Sequence, residues 1–212
     1  TSTWQPIPHA LMLREIRSML PTYNMRIVHE AHSLTHDNQR QFSVMQIQNG
    51  CNSPDYSWVL GIRNSHDKAF AAGIVAGAQV FVCDNLAFSG EIKIGRKHTT
   101  NILLDMNDLI HSALQNLVFK WEDQDRRIEA YKNTRLKDSQ AHDLTIRALD
   151  MNACCGSQIP GILDEWRQPS HVDFQDRNAW SLFNAFTERL KGSGLHTLAN
   201  RTEKLHNVMD SY

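Results

Sequence analysis

No stretch of this sequence approaches the roughly 20 consecutive apolar residues that a membrane-spanning helix needs, so no membrane embedding is expected. Cysteine is scarce and poorly spaced for cross-linking: Cys51 and Cys83 stand alone, and Cys154 and Cys155 are adjacent. In a chain of 212 residues that is no disulfide framework, and without a CxxC pair a thiolate zinc site is not expected. Reduced cysteines imply a cytoplasmic setting. An excess of either charge is also missing. Twenty-two Lys and Arg against 23 Asp and Glu leave a formal net charge of −1, which excludes a histone-like polyelectrolyte and confines any nucleic-acid contact to a local patch. The first residues, "TSTWQPIPHALMLREI", lack a basic end followed by an apolar run, so no secretory signal is expected. "AAGIVAGAQ" has neither GxGxxG spacing nor the lysine of a phosphate loop, and the 11 histidines show no HExxH or HxH spacing.

What is present suits one ordinary domain: 41% of residues are hydrophobic, enough for a substantial core. "HALMLREIRSML" has helical spacing and stops at Pro21. "MRIVHEAHSL" and "RQFSVMQIQN" read as two strands joined by a hairpin at "THDNQ", with "CNSPD" a second turn. "YSWVLGIRN" alternates Tyr56, Trp58, Leu60 and Ile62 against Ser57, Val59, Gly61 and Arg63, the pattern of a half-buried strand. "AFAAGIVAGA" fits either a short helix over 70–76 or a close-packed strand, whereas "QVFVC" and "SGEIKIGRKHT" read as strands.

From Thr99 to about Lys137 the period changes. Leu103, Met106, Ile110, Ala113, Leu114, Leu117, Trp121 and Ile128 recur every three or four residues without Gly or Pro, predicting a long amphipathic helix. "DSQAHDLTIRALDMNAC" and "DRNAWSLFNAFTERLKG" predict two more helices, separated by a linker-like excursion with Pro160 and Pro169. "LHTLANRTEKLHNVMDS" predicts a last, more exposed helix. The fold expected is α+β: an antiparallel sheet over residues about 25–98 covered by the long helix, within one domain of residues 1–190, and a helical C-terminal extension over 191–212.

Three predicted strand ends carry small polar and ionisable clusters: Arg63-Asn64-Ser65-His66-Asp67-Lys68, Val82-Cys83-Asp84-Asn85 and Arg96-Lys97-His98-Thr99. These runs, with a weaker echo in "NAWSLFNAFTE" (Asn178 to Glu188), resemble a family of phage and plasmid proteins, domain of unknown function 932. The resemblance implies a mobile-element setting, hence a bacterial host cytosol, and little defined chemistry. By analogy with that setting, the leading expectation is a DNA-associated protein, most concretely one that binds or anneals single-stranded DNA in recombination.

The nucleic-acid-binding candidates are Arg63, His66, Lys68, Arg96, Lys97 and His98, with Trp58, Phe81 or Phe88 available for stacking if exposed. Arg126, Arg127, Lys132, Arg135 and Lys137 add charge to the long helix, but its acids offset them through pairs such as Glu122–Arg126. A second reading is a divalent-metal-dependent hydrolase or nuclease, with His66, Asp67, Asp84, Glu91 and His98 as ligands or acid–base groups. Nucleophilic catalysis by Cys83, with His66 or His98 as base, is a separate candidate, set against a plain buried strand cysteine. Asp67, Asp84, Asn64 and Asn85 have a competing role as turn formers. A third reading is a protein-binding inhibitor of a host defence system, docking through the last helix. No cofactor is expected outside the metal reading. A homo-oligomer could extend a shared groove.

Overall fold

The computed structural model describes residues 4–35, 37–48, 56–80, 86–93 and 101–212, with 80, 86–93, 195 and 196 by backbone alone. The chain is α+β. Helix α1 (His9–Met19) leads into strands β1 (Arg26–Thr35), β2 (Arg40–Gln48), β3 (Tyr56–Ser65), β4 (Gly73–Val80) and β5 (Leu86–Lys93). Helices α2 (Ile102–Asn133), α3 (Asp138–Asp150), α4 (Ile159–Arg167), α5 (Ala179–Leu190) and α6 (Leu195–Asp210) follow. The chain divides into two compact units, Thr1–Gly77 with Gly90–Trp121, and Ala78–Ser89 with Glu122–Tyr212.

The strands lie in the order β1-β2-β3-β4-β5, with β1, β2 and β3 wholly in the first unit. β1 and β2 pair antiparallel from Arg26↔Gln48 to Thr35↔Arg40, and β2 and β3 from Arg40↔Ser65 to Ile47↔Trp58. Asp37 and Asn38 turn the first hairpin with φ of 54° and 65°, a left-handed pair that matches the twist of the flanking strands and that short amide and carboxylate side chains tolerate. The ambiguous run before "QVFVC" is a strand: β4 starts at Gly73, where small residues allow close packing.

One side of this sheet faces helices. Trp58 stacks on Trp121 of α2 with ring centroids 4.9 Å apart, and the Trp121 indole N–H donates to the Gly77 carbonyl at 3.2 Å. Met106, Ile110, Ala113, Leu114 and Leu117 are buried along the same stripe of α2, as its spacing requires. Arg17 of α1 bonds Glu30 and His32 of β1, which sets α1 against the same side. β3 is more buried than its alternation predicts. Tyr56, Trp58, Leu60 and Ile62 are inside, and so are Val59 and Gly61 of the other set.

From Glu122 onward the second unit is helical, and in α5 every residue from Ala179 to Thr187 is buried. A helix apolar enough to be enclosed all round is what "AWSLFNAF" specifies. Its polar members bond their own helix, Asn184 Nδ2 to the Trp180 carbonyl at 2.9 Å and Thr187 Oγ1 to the Asn184 carbonyl at 3.1 Å. The linker-like excursion is partly ordered as α4, because Pro160 sits in the first turn, where a missing N–H costs nothing. α6 is less exposed than expected, with Leu198, Thr202, Leu205, His206, Val208 and Met209 buried.

Candidate nucleic-acid interface

The cluster after β3 divides between two sets of neighbours. Asn64 Nδ2 donates to the Ile7 carbonyl at 2.7 Å, and His66 Nε2 donates to the same oxygen at 2.8 Å. Asn64 Nδ2 also meets His9 Nδ1 at 2.9 Å, while His9 Nε2 reaches the Asn38 carbonyl at 3.1 Å. Those partners assign His9 the neutral tautomer with its proton on Nε2. Partial burial holds its pKa below the ordinary histidine value, and the neighbouring His66 acts in the same direction. The two imidazoles stack nearly parallel, centroids 3.9 Å apart. His66 and Asn64 therefore fasten the N-terminal segment to the end of the sheet.

Asp67 and Lys68 are occupied in a similar way. Asp67 Oδ1 accepts from the Ala69 amide at 3.1 Å, the turn role expected of an aspartate there, and its other oxygen pairs with Arg40 at 2.7 Å. Lys68 adopts a left-handed φ of 64°, and its ammonium lies 5.0 Å from the centre of the Trp4 ring.

Arg63 turns elsewhere. Its guanidinium carbon lies 5.0 Å over the Phe70 ring, and Phe70 sits 5.2 Å from Phe42, tilted by 46°. Phe42 belongs to the alternate set of β2 with Arg40, Val44, Gln46 and Gln48, all half-buried, whereas Gln41, Ser43, Met45 and Ile47 are buried towards the helices. Registered pairs extend this second side across β1 to Arg26, His29, Ala31, Ser33 and Thr35, all exposed. The outcome is a sheet surface with two phenyl rings, a guanidinium stacked on one of them, and Arg40 and Arg26 at its borders. Rings presented at a sheet surface can stack on bases, and guanidinium groups can stack as well as neutralise phosphate.

Arg63 is thus brought to this surface, while His66 and Lys68 point to the N-terminal segment. Arg96, Lys97, His98 and Cys83 lie outside the described residues, as does the side chain of Glu91 on β5. Asp84, Phe81 and Phe88 are outside in the same sense, and Trp58 is buried against Trp121. Among the described residues no three His, Cys, Asp or Glu side chains form a group able to hold a metal ion. On α2, Arg126 pairs with Asp123 and Arg127 with Asp210 at 3.1 Å, so much of that helix's positive charge is spent locally. Phe42 and Phe70 were not singled out by the sequence. The available signal was the aromatic at an alternate position of "RQFSVMQIQ", ahead of the cationic Arg63 run.

The family model described as "Domain of unknown function (DUF932)" matches residues 1–209, so the chain belongs to that family. No curated protein and no solved structure matches it.

Proposed function

We propose that this DUF932-family chain binds single-stranded nucleic acid, in its most concrete form single-stranded DNA during phage or plasmid recombination. The observation that supports the reading is the Arg63–Phe70–Phe42 group on the second side of the sheet, with Arg40 and Arg26 at its borders. Bases would stack on Phe42 and Phe70, and the arginines would follow the phosphates. Because stacking uses a π-face that every base has, recognition would be broad in sequence.

Neither the divalent-metal hydrolase nor the defence-inhibitor reading has a specific observation in its favour. His66 and Asp67 already bond the Ile7 carbonyl, Arg40 and the Ala69 amide, and the apolar side of α6 is buried in its own unit.

The test is fluorescence anisotropy of a labelled single strand across a salt series. Binding tighter than ~1 mM at low salt, weakened by Phe42→Ala, Phe70→Leu and Arg63→Ala, is the expected result. Phe70→Leu keeps apolar volume while removing the ring, so it separates stacking from packing. Absence of binding at low salt, or binding indifferent to all three substitutions, overturns the reading.

A further inference from the structure

The bonds that fasten the N-terminal segment to the end of the sheet run through nitrogens that a proton rewires. His9 Nδ1 accepts from Asn64 Nδ2 at 2.9 Å while His9 Nε2 donates to the Asn38 carbonyl at 3.1 Å. A second proton on this ring has nowhere to go without loss of the Asn64 bond. Asn64 Nδ2 donates as well to the Ile7 carbonyl at 2.7 Å, which His66 Nε2 joins at 2.8 Å. The imidazoles of His9 and His66 lie face to face, centroids 3.9 Å apart with 2° between their planes, so a charge on one opposes a charge on the other.

Asn64 has a second arrangement open to it. Its Oδ1 is buried without a hydrogen-bond partner, and so is Oε1 of Gln41. Gln41 and Asn64 are directly opposite in the β2–β3 register, and paired residues share one side of a sheet. Two bare acceptors there are unfavourable, and turning the Asn64 amide over relieves both. Nδ2 then takes the buried place of Oδ1 in the neighbourhood of Gln41 Oε1, and Oδ1 takes the place of Nδ2. A neutral His9 forbids that arrangement, because its Nδ1 and Asn64 Oδ1 would both be acceptors. A ring protonated at Nδ1 requires it, and the turned oxygen then repels the Ile7 carbonyl.

We propose that Asn64, His9 and His66 form a proton-operated latch: the N-terminal segment is held on the sheet while both rings are neutral and is let go when the stack takes up a proton. Among the described groups around the stack, no carboxylate is placed to offset that proton. Asp67 is committed to Arg40 and the Ala69 amide, Asp37 is an exposed residue of the hairpin turn, and the first turn of α1 has no acid. Lys68, over the Trp4 ring, adds a further positive charge. Partial burial and the neighbouring His66 hold the His9 pKa below its ordinary 6.5, against the bond to Asn38. A released ring regains the ordinary value. Docking is therefore independent of this group above pH 6.5 and weakens below it, by up to about tenfold per pH unit for one proton. The latch stands apart from nucleic-acid binding.

The test is methyl and imidazole NMR of the full chain from about pH 7.5 to about pH 5, the range in which histidine charges. Ile7, wholly buried in the held state, reports the segment, and Ile62 and Ile74, buried in the sheet, report the fold. The Ile7 methyl line should shift or broaden with the midpoint of the His9 ring while Ile62 and Ile74 hold. His66→Gln should bring the His9 midpoint closer to 6.5, because the neighbouring charge is gone. His9→Gln keeps a donor for the Asn38 carbonyl and an acceptor for Asn64, and should remove most of the pH response of Ile7 whatever the docked fraction. An Ile7 line that stays unchanged over this range overturns the proposal. So does one that follows a midpoint other than that of His9, one that keeps its full response in His9→Gln, or one that moves only together with Ile62 and Ile74.

Discussion

His206 is wholly enclosed in the helical unit, with Nδ1 3.1 Å from the Tyr131 hydroxyl, and that hydroxyl also donates to Asp210 at 2.5 Å. Burial, with the nearby Arg127 acting in the same direction, drops the His206 pKa to about 3. The ring must stay neutral inside, whereas in the unfolded chain it takes a proton below its ordinary 6.5. Below that value the unfolded state binds more protons, so stability falls as pH drops from 6.5 towards 3 and is unaffected by this group above 6.5. The loss approaches about 1.4 kcal/mol for each pH unit within that window. Denaturant unfolding between pH 5 and 7 should therefore show a shallower pH slope for His206→Leu than for the parent, whatever the variant's absolute stability. Equal slopes would place the proton elsewhere. The same desolvation, joined by the hydrogen bond to Asp210, pushes the Tyr131 hydroxyl up, so it stays protonated as a donor.

At the scale of the element, the best legible parts are those where one physical demand dominates. α2 was readable because its buried positions all answer to a single period, and α5 because Asn178 caps a run with no polar face. Asn178 accepts from the Ser181 amide at 2.8 Å and donates to the Lys132 carbonyl at 3.0 Å, while Ala179 N–H reaches the Thr134 carbonyl at 2.8 Å. Asn178→Ala removes the cap and the bond to the Lys132 carbonyl, a cost of about 2 kcal/mol in unfolding free energy. Asn178→Asp keeps the acceptor and should recover about half of it. A loss under about 0.5 kcal/mol for the Ala variant would contradict this role.

β2 was not readable in the same way. Its two sides mix apolar with polar, and the structure buries Gln41 and Ser43 while leaving Phe42 and Val44 half-exposed. Hydropathy alone separates the two sides poorly, since each has two large apolar residues, Phe42 and Val44 on one and Met45 and Ile47 on the other. Gln41 and Ser43 are tolerated inside because they bond one another and His32, a network that only the assembled hairpin supplies. The candidate surface was hidden for that reason: Arg63 could be picked from its cationic run, but Phe42 and Phe70 acquire meaning only once the pairing of β2 with β3 sets Phe42 opposite Arg63. His66 and Asp67 looked like chemistry because polar residues that fasten a terminal segment or cap a turn are the same residue types that do catalysis.

For the whole molecule, near-neutral charge limits how a polyanion can be held. With 22 basic and 23 acidic residues there is no long-range attraction to exploit, so affinity has to come from the local surface. Three arginines belong to it, and Arg40 is already paired with Asp67. Two or three phosphate contacts on a single strand correspond to a slope of log affinity against log salt of about −2 at most, shallower than that of a strongly basic binder. Arg63→Ala should reduce that slope by about 0.7, one phosphate contact, as well as weakening binding. Phe70→Leu should lower affinity by roughly 1–3 kcal/mol per stacked base and leave the slope unchanged, because no counterion is released by stacking. The two substitutions thus separate in one salt titration. If Phe70→Leu flattens the slope as much as Arg63→Ala does, the ring serves only to support the guanidinium, and binding is electrostatic alone.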